Sequence, residues 1–67
     1  MKIFYINGQQ YCTKNKITIF ELLTYFNYNN SLLVIEYNGL IVNKAKWKKT
    51  LIRDKDKIEI VTIVGGG

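Results

Sequence analysis

The chain ends Val64-Gly65-Gly66-Gly67, and this tail is where its residue types could do chemistry. A terminal carboxylate is a poor electrophile until it is activated. Activation by ATP requires it to enter a nucleotide pocket on another protein and attack the α-phosphate. A thin, extended, adaptable peptide suits such a pocket. Glycine lacks Cβ, so its backbone can approach other groups closely and adopt almost any φ/ψ. Three glycines directly after a strand-like run could supply that peptide, with Gly67 as the reacting end and residues 64–67 as the part that enters the partner's active site; a frayed tail is the other reading of the same residues.

Other candidates are weaker. The chain has no histidine and one cysteine, which excludes an internal disulfide, the usual Cys/His zinc sites and a Ser-His-Asp triad. Cys12 could accept a persulfide, but no His or Arg stands beside it in sequence to lower its pKa, and it reads as a small strand residue. Asp54 and Asp56 offer oxygen ligands for a hard cation, yet Arg53, Lys55 and Lys57 flank them and the segment reads as a charged turn. Trp47 could stack on a nucleic-acid base, although a lone Trp in a small domain more often anchors a loop on the core. Lys44, Lys46, Lys48 and Lys49 read as a solvated face able to steer an acidic partner. No catalytic residue and no metal ligand set is expected.

Sixty-seven residues allow one small domain. Such a chain buries only roughly 60% of the surface its unfolded form exposes, which argues against an enzyme with its own substrate cleft. Apolar residues make up 48% and charged residues 22%, the balance of a folded chain rather than a disordered one. The longest apolar runs, residues 32–35 and 60–64, are strand-sized, far short of the roughly 20 residues of a membrane span. The net charge of +5 would attract an acidic surface or nucleic acid. Codon bias explains it as well: Lys, Ile, Asn, Tyr and Phe supply half the chain, and all but one of the ten basic residues are Lys. An AT-rich organelle or bacterial genome is expected. The N-terminus has neither signal-peptide nor transit-peptide character. The expected location is therefore the cytoplasm of a bacterium, or the plastid stroma if the protein is organelle-encoded.

The elements that must position the tail are legible. Lys2-Ile3-Phe4-Tyr5-Ile6, then Asn7-Gly8, then residues 9–14 read as a hairpin, because Asn-Gly tolerates positive φ at both turn positions. Thr18 and Glu21 make a capping box, and Ile19, Leu22, Leu23 and Phe26 recur on one helical face. Residues 32–37 read as a strand, Asn38-Gly39 as a second turn, and residues 40–42 as a short partner strand. Residues 43–49 suggest one irregular helical turn, and residues 57–63 the last strand. Strands with a single helix predict an α+β fold, a mixed sheet of four to five strands with the helix on one face. Its first and last strands would lie side by side and parallel. The domain is expected over 1–63, with 64–67 a flexible tail. If Ile3 and Tyr5 face the helix with Ile58 and Ile60, then Phe4, Ile6, Val61 and Ile63 form an exposed apolar patch that would dock a partner enzyme or close a homodimer; a register shifted by one would exchange the faces.

These features together resemble the ThiS family of sulfur carriers. The likeness rests on the opening strand and Asn7-Gly8, the helix start Thr18-Ile19-Phe20-Glu21-Leu22-Leu23, Asn38-Gly39 with Val42, Trp47, the run Asp54-Lys55-Asp56-Lys57-Ile58-Glu59-Ile60-Val61, and the terminal glycines. It spans the whole chain. The resemblance implies a ubiquitin-like β-grasp fold and a role in thiamine biosynthesis. It implies that an E1-like adenylyltransferase of the ThiF type, using ATP, converts the Gly67 carboxylate to an acyl adenylate. Sulfur from a cysteine-desulfurase persulfide would then give a thiocarboxylate, which a ThiG-type thiazole synthase would consume to build the thiazole ring. The carrier would bind no cofactor of its own and would be a co-substrate, not a catalyst. The family more often has acidic and small residues where this chain has Lys and Asn.

Three other functions fit parts of the sequence. A carrier for molybdopterin synthesis shares the tail but is usually longer. A ubiquitin-like modifier would end in an isopeptide bond from Gly67. A basic RNA-binding β-grasp module would suit the charge, but the scarcity of Arg and the glycine tail weigh against nucleic acid. Deleting Gly66 and Gly67 separates these readings: carrier function would vanish, whereas RNA binding would persist with strong salt dependence.

Overall fold

Two Asn-Gly turns set the frame. Asn7 and Gly8 have φ of 49° and 83°, and Asn38 and Gly39 have φ of 52° and 87°. Positive φ at both central positions matches the twist of a two-residue hairpin. The first turn joins β1 (Lys2–Ile6) to β2 (Gln9–Thr13), and the second joins β3 (Leu33–Tyr37) to β4 (Leu40–Val42). Between the hairpins lies α1 (Ile19–Tyr25), and the final strand is β5 (Lys57–Thr62). The computed structural model describes residues 1–28 and 32–62.

The sheet order is β2-β1-β5-β3-β4. β5 occupies the centre, parallel to β1 and antiparallel to β3, as the sequence suggests. A parallel pair cannot be joined by a tight turn. The rest of the chain, including α1, forms the crossover between β1 and β5.

Helix α1 is short, so its amide ends matter more than its propensity. Thr18 caps it: its side chain accepts from the Glu21 amide at 3.1 Å, and Glu21 Oε1 accepts from the Thr18 amide at 2.9 Å. The Ile19 amide donates to Thr50 O at 3.0 Å and the Phe20 amide to Trp47 O at 3.2 Å. The segment after β4, which contains a 3-10 turn at Lys44–Lys46, thus closes the helix start that the capping box leaves open.

Ile19, Leu22 and Leu23 pack with Phe4, Ile6, Ile35, Trp47, Ile52, Ile58 and Ile60 in one buried cluster. Trp47 is the loop anchor that the sequence suggests. It is buried, and its indole N–H donates to Val42 O at 3.0 Å. Phe26, the last residue of the helical apolar pattern, lies at the C-cap and is half exposed.

Candidate functional site

Residues 63–67 follow β5 in sequence, so what fixes β5 fixes the point from which they start. On one side β3 pairs with it along the strand, as far as Leu33 opposite Thr62. On the other side β1 pairs only at Tyr5–Lys57 and Ile6–Ile58. Beyond that point the side chain of Asn7 takes over the ladder. Its Oδ1 accepts from the Ile60 amide at 2.8 Å and its Nδ2 donates to Ile60 O at 3.3 Å. Asn38 does the same work at the strand's beginning: its Oδ1 accepts from the Lys57 amide at 2.8 Å, and its own amide donates to Lys57 O at 2.8 Å. The two turn asparagines therefore also serve as clamps on the central strand. Sequence reasoning found the turns and missed the clamps, because the bond from Asn7 to Ile60 spans 53 residues.

The charged turn before β5 is held in the same way. Asp54 Oδ1 accepts from the Ile3 amide at 2.7 Å. Asp56 is 6% exposed. Its carboxylate accepts from the Arg53 amide at 2.6 Å, from Asn38 Nδ2 at 3.0 Å and from the Tyr37 hydroxyl. Burial and the adjoining Asp56 carboxylate push the Tyr37 phenol up to about 12. Both carboxylates thus stabilise the turn instead of presenting oxygens to a cation. Among the described residues no cluster of three acidic, His or Cys groups could hold a metal.

The expected docking patch requires correction. Phe4 and Ile6 are buried in the core beside Ile58 and Ile60; Ile3 and Tyr5 point to the open face. The parallel register puts Ile6 beside Ile58, so these two share a face. The phase was illegible because β1 reads Lys-Ile-Phe-Tyr-Ile with no alternation, and a one-residue slip exchanges every side chain between faces. Val61 does lie on the open face and is 52% exposed. Ile63, Val64, Gly65, Gly66 and Gly67 lie outside the described residues.

The open face is made by Ile3 and Tyr5 of β1, Val61 of β5, Val34 of β3 and Ile41 of β4, the last 70% exposed. At its centre Glu36 and Glu59 sit directly opposite each other on β3 and β5. Like charges so placed disfavour the sheet. Two of the chain's five acidic side chains thus lie on the face that no helix covers among the described residues. The same register puts the exposed Lys57 on this face beside Tyr5, so the two glutamates share it with one lysine.

The remaining candidates are dispersed. Cys12 is an exposed strand residue opposite Ile3. Lys44, Lys46, Lys48 and Lys49 are exposed, with Lys48 Nζ lying 4.7 Å over the Phe20 ring. No helix among the described residues is long and apolar enough to cross a membrane.

A five-stranded mixed sheet with one helix on one face, and parallel first and last strands, defines the chain as a ubiquitin-like β-grasp protein. The crystal structure of a thiamine biosynthesis protein (ThiS) from Geobacter metallireducens has the same fold, with a TM-score of 0.83 at 22% identity, covering 97% of this chain and 99% of that one. The ThiS family model matches residues 4–67, and the chain belongs to the ThiS family. It is 61% identical over 66 residues to the uncharacterized protein ycf40 of Trieres chinensis, covering 98% of this chain and 90% of that one. It is 37% identical over 54 residues to the sulfur carrier protein ThiS of Bacillus subtilis, covering 81% and 82%. A thiazole synthase of Paramagnetospirillum magneticum is 32% identical over 62 residues, which are 92% of this chain but 19% of that protein.

Proposed function

We infer that this protein is a sulfur carrier of thiamine biosynthesis, with Gly67 as the residue that bears the sulfur. The observation that carries this reading is the family match over residues 4–67, which includes the terminal glycines, together with the likeness to the Bacillus subtilis carrier. In the reaction, a Gly67 carboxylate oxygen attacks the α-phosphorus of ATP and pyrophosphate leaves. The terminal sulfur of a persulfide then attacks the carbonyl carbon and AMP leaves. A thiol cleaves the resulting acyl disulfide, releasing the thiocarboxylate and carrying away the second sulfur as a disulfide. The protein is the co-substrate of these steps. ATP and the catalytic groups belong to an E1-like adenylyltransferase, and the persulfide to a cysteine desulfurase.

A thiazole synthase is the acceptor in this reading. The Paramagnetospirillum protein supports it, because there a carrier-like stretch forms part of a longer chain of that name. Partners dock on the open face, through Ile3, Tyr5, Val34, Ile41 and Val61 around Glu36 and Glu59. This face includes β5, which precedes the tail in sequence, and its Glu36–Glu59 pair suits a basic group on the partner. The AT-rich composition suits a plastid stroma or a bacterial cytoplasm as the compartment.

The test is intact-mass spectrometry of the protein before and after incubation with ATP, the adenylyltransferase and a persulfide donor. The expected result is a gain equal to replacing one oxygen by sulfur, located on the C-terminal peptide. No gain, with an enzyme active on its own carrier, would overturn the thiamine reading and favour a modifier or an RNA-binding module.

A further inference from the structure

The edge of the sheet farthest from β4 carries a feature that sulfur transfer does not use. Between β2 and α1 lies a cleft of about 450 Å³. Phe4, Tyr11, Ile17, Leu22, Tyr25 and Phe26 line it. Its aromatic rings are already stacked among themselves: Phe4 lies 5.9 Å from Tyr11, Tyr11 meets Phe26 edge-on at 5.4 Å, and Phe26 meets Tyr25 at 5.1 Å. Tyr25 is 80% exposed at the rim. The volume falls in the range of sites that hold several side chains.

The strand beside this cleft is open to pairing. The Tyr5 and Asn7 amides donate to Asp56 O and Ile58 O of the β5 side. It follows from the alternation of an antiparallel ladder that Phe4 and Ile6 exchange bonds with Tyr11 and Gln9, and that Gln10 and Cys12 turn their N–H and C=O groups outward. β2 reads Gln-Gln-Tyr-Cys-Thr, without the charge or proline that usually blocks a sheet edge. The other edge, β4, is only three residues long. Among the described residues, β2 is the longer of the two edges on which a strand could be recruited.

Charge defines what fits there. Lys2, opposite Thr13, and the exposed Lys14 and Lys16 gather at the far end of β2, where Lys2 Nζ donates to Asn15 O at 3.1 Å. The one carboxylate lining the cleft, Glu21, is engaged in the helix cap. A second copy of this chain would bring +5 against +5. An acidic segment would be attracted instead. We propose that the β2 edge and the β2–α1 cleft dock an extended segment of a partner protein, one with alternating apolar residues next to carboxylates. The segment adds a sixth strand to the sheet, its apolar side chains enter the cleft, and its carboxylates meet Lys14 and Lys16. Because β5 runs parallel to β1, its C-terminal end lies toward the Asn7–Gly8 turn, whereas the lysines lie at the opposite end. A partner can therefore hold the carrier here without obstructing the strand that leads to the tail. This does not depend on the chemistry at Gly67.

The test is an NMR titration of the ¹⁵N-labelled full chain with the blocked peptide acetyl-Asp-Asp-Ile-Thr-Ile-Thr-Val-amide. Expected are shifts at Gln10, Cys12, Ile17 and Phe26, and slowed exchange of the Gln10 and Cys12 amides. The double variant Lys14→Glu/Lys16→Glu should bind about tenfold more weakly, which corresponds to about 1.4 kcal/mol. Cys12→Pro removes an outward amide without removing a ladder bond, so its spectrum should stay folded while binding is lost. Absence of shifts, shifts on Val34 and Val61 instead, or unchanged affinity in both variants would overturn the proposal. So would sedimentation showing a dimer with β2 amides protected before any peptide is added, which would assign the edge to a second copy.

Discussion

Asn7 and Ile60 exchange two hydrogen bonds, side chain to backbone, across 53 residues of sequence. One residue therefore makes the first hairpin and extends the β1 ladder along β5 after β1 has turned away. In Asn7→Gly the positive φ of 49° is kept without strain, so the loss combines the clamp with glycine's greater freedom in the unfolded chain. It should lose about 1–3 kcal/mol of stability for two bonds. The Ile60 amide should exchange faster with solvent than in the native protein, while the Leu22 amide in α1 follows global stability alone.

The buried Asp56 carboxylate gathers donors from three segments. Asp56→Ala takes the acceptor from the Asn38 amide group and the Arg53 amide, leaves the Tyr37 hydroxyl only Leu51 O at 3.1 Å, and should cost about 2–4 kcal/mol by chemical denaturation. Asp56→Asn keeps the shape and two acceptor positions on one oxygen, so the loss should be smaller.

The Tyr37 phenol gives this cluster a pH signature. Its pKa is about 12 when folded and 10.0 ordinarily. The folded state therefore holds this proton more tightly than the unfolded state. The contribution is complete below pH 10 and falls as pH rises from 10 through 12, since the unfolded chain releases the proton first. Urea melts across that range should show a steeper decline for the native protein than for Tyr37→Phe. The flatter Phe profile is the discriminating result, because the lysines titrate in both proteins.

The two faces of the sheet should respond oppositely to the same change. Val61→Asp introduces charge on the open face, where Val61 is 52% exposed; the fold should survive and adenylation by the partner enzyme should be lost. Phe4→Asp places a charge at a site 3% exposed and should unfold the domain. Circular dichroism beside the adenylation assay separates the two outcomes. An unfolded Val61→Asp would show that the face is part of the core.

Trp47→Phe keeps most of the buried ring but removes the donor to Val42 O. It should lose about 1–3 kcal/mol, and it should loosen the segment whose Thr50 and Trp47 carbonyls close the helix start. Faster exchange of the Ile19 and Phe20 amides is the measurement that checks this.

Local signals were enough for every element. Asn-Gly demands positive φ, a Thr-x-x-Glu box starts a helix, and Ile58-Glu59-Ile60 alternates, so the hairpins, α1 and β5 were legible from neighbours in sequence. The terminal glycines suggested chemistry at the carboxylate through their place after a strand and the resemblance of the whole chain to a carrier family. The face of β1 was not legible. Lys-Ile-Phe-Tyr-Ile is apolar on both sides, and its phase was decided by Ile6 beside Ile58, Phe4 stacked on Tyr11 and the Asp54 carboxylate on the Ile3 amide. Each of those contacts joins residues brought together by pairing. The same holds for Glu36 opposite Glu59, for Asn7 on Ile60 and for the cleft between β2 and α1. A chain specifies its elements through short-range sterics and hydrogen bonds; which surfaces those elements leave exposed follows only from register, and register is a property of two strands at once.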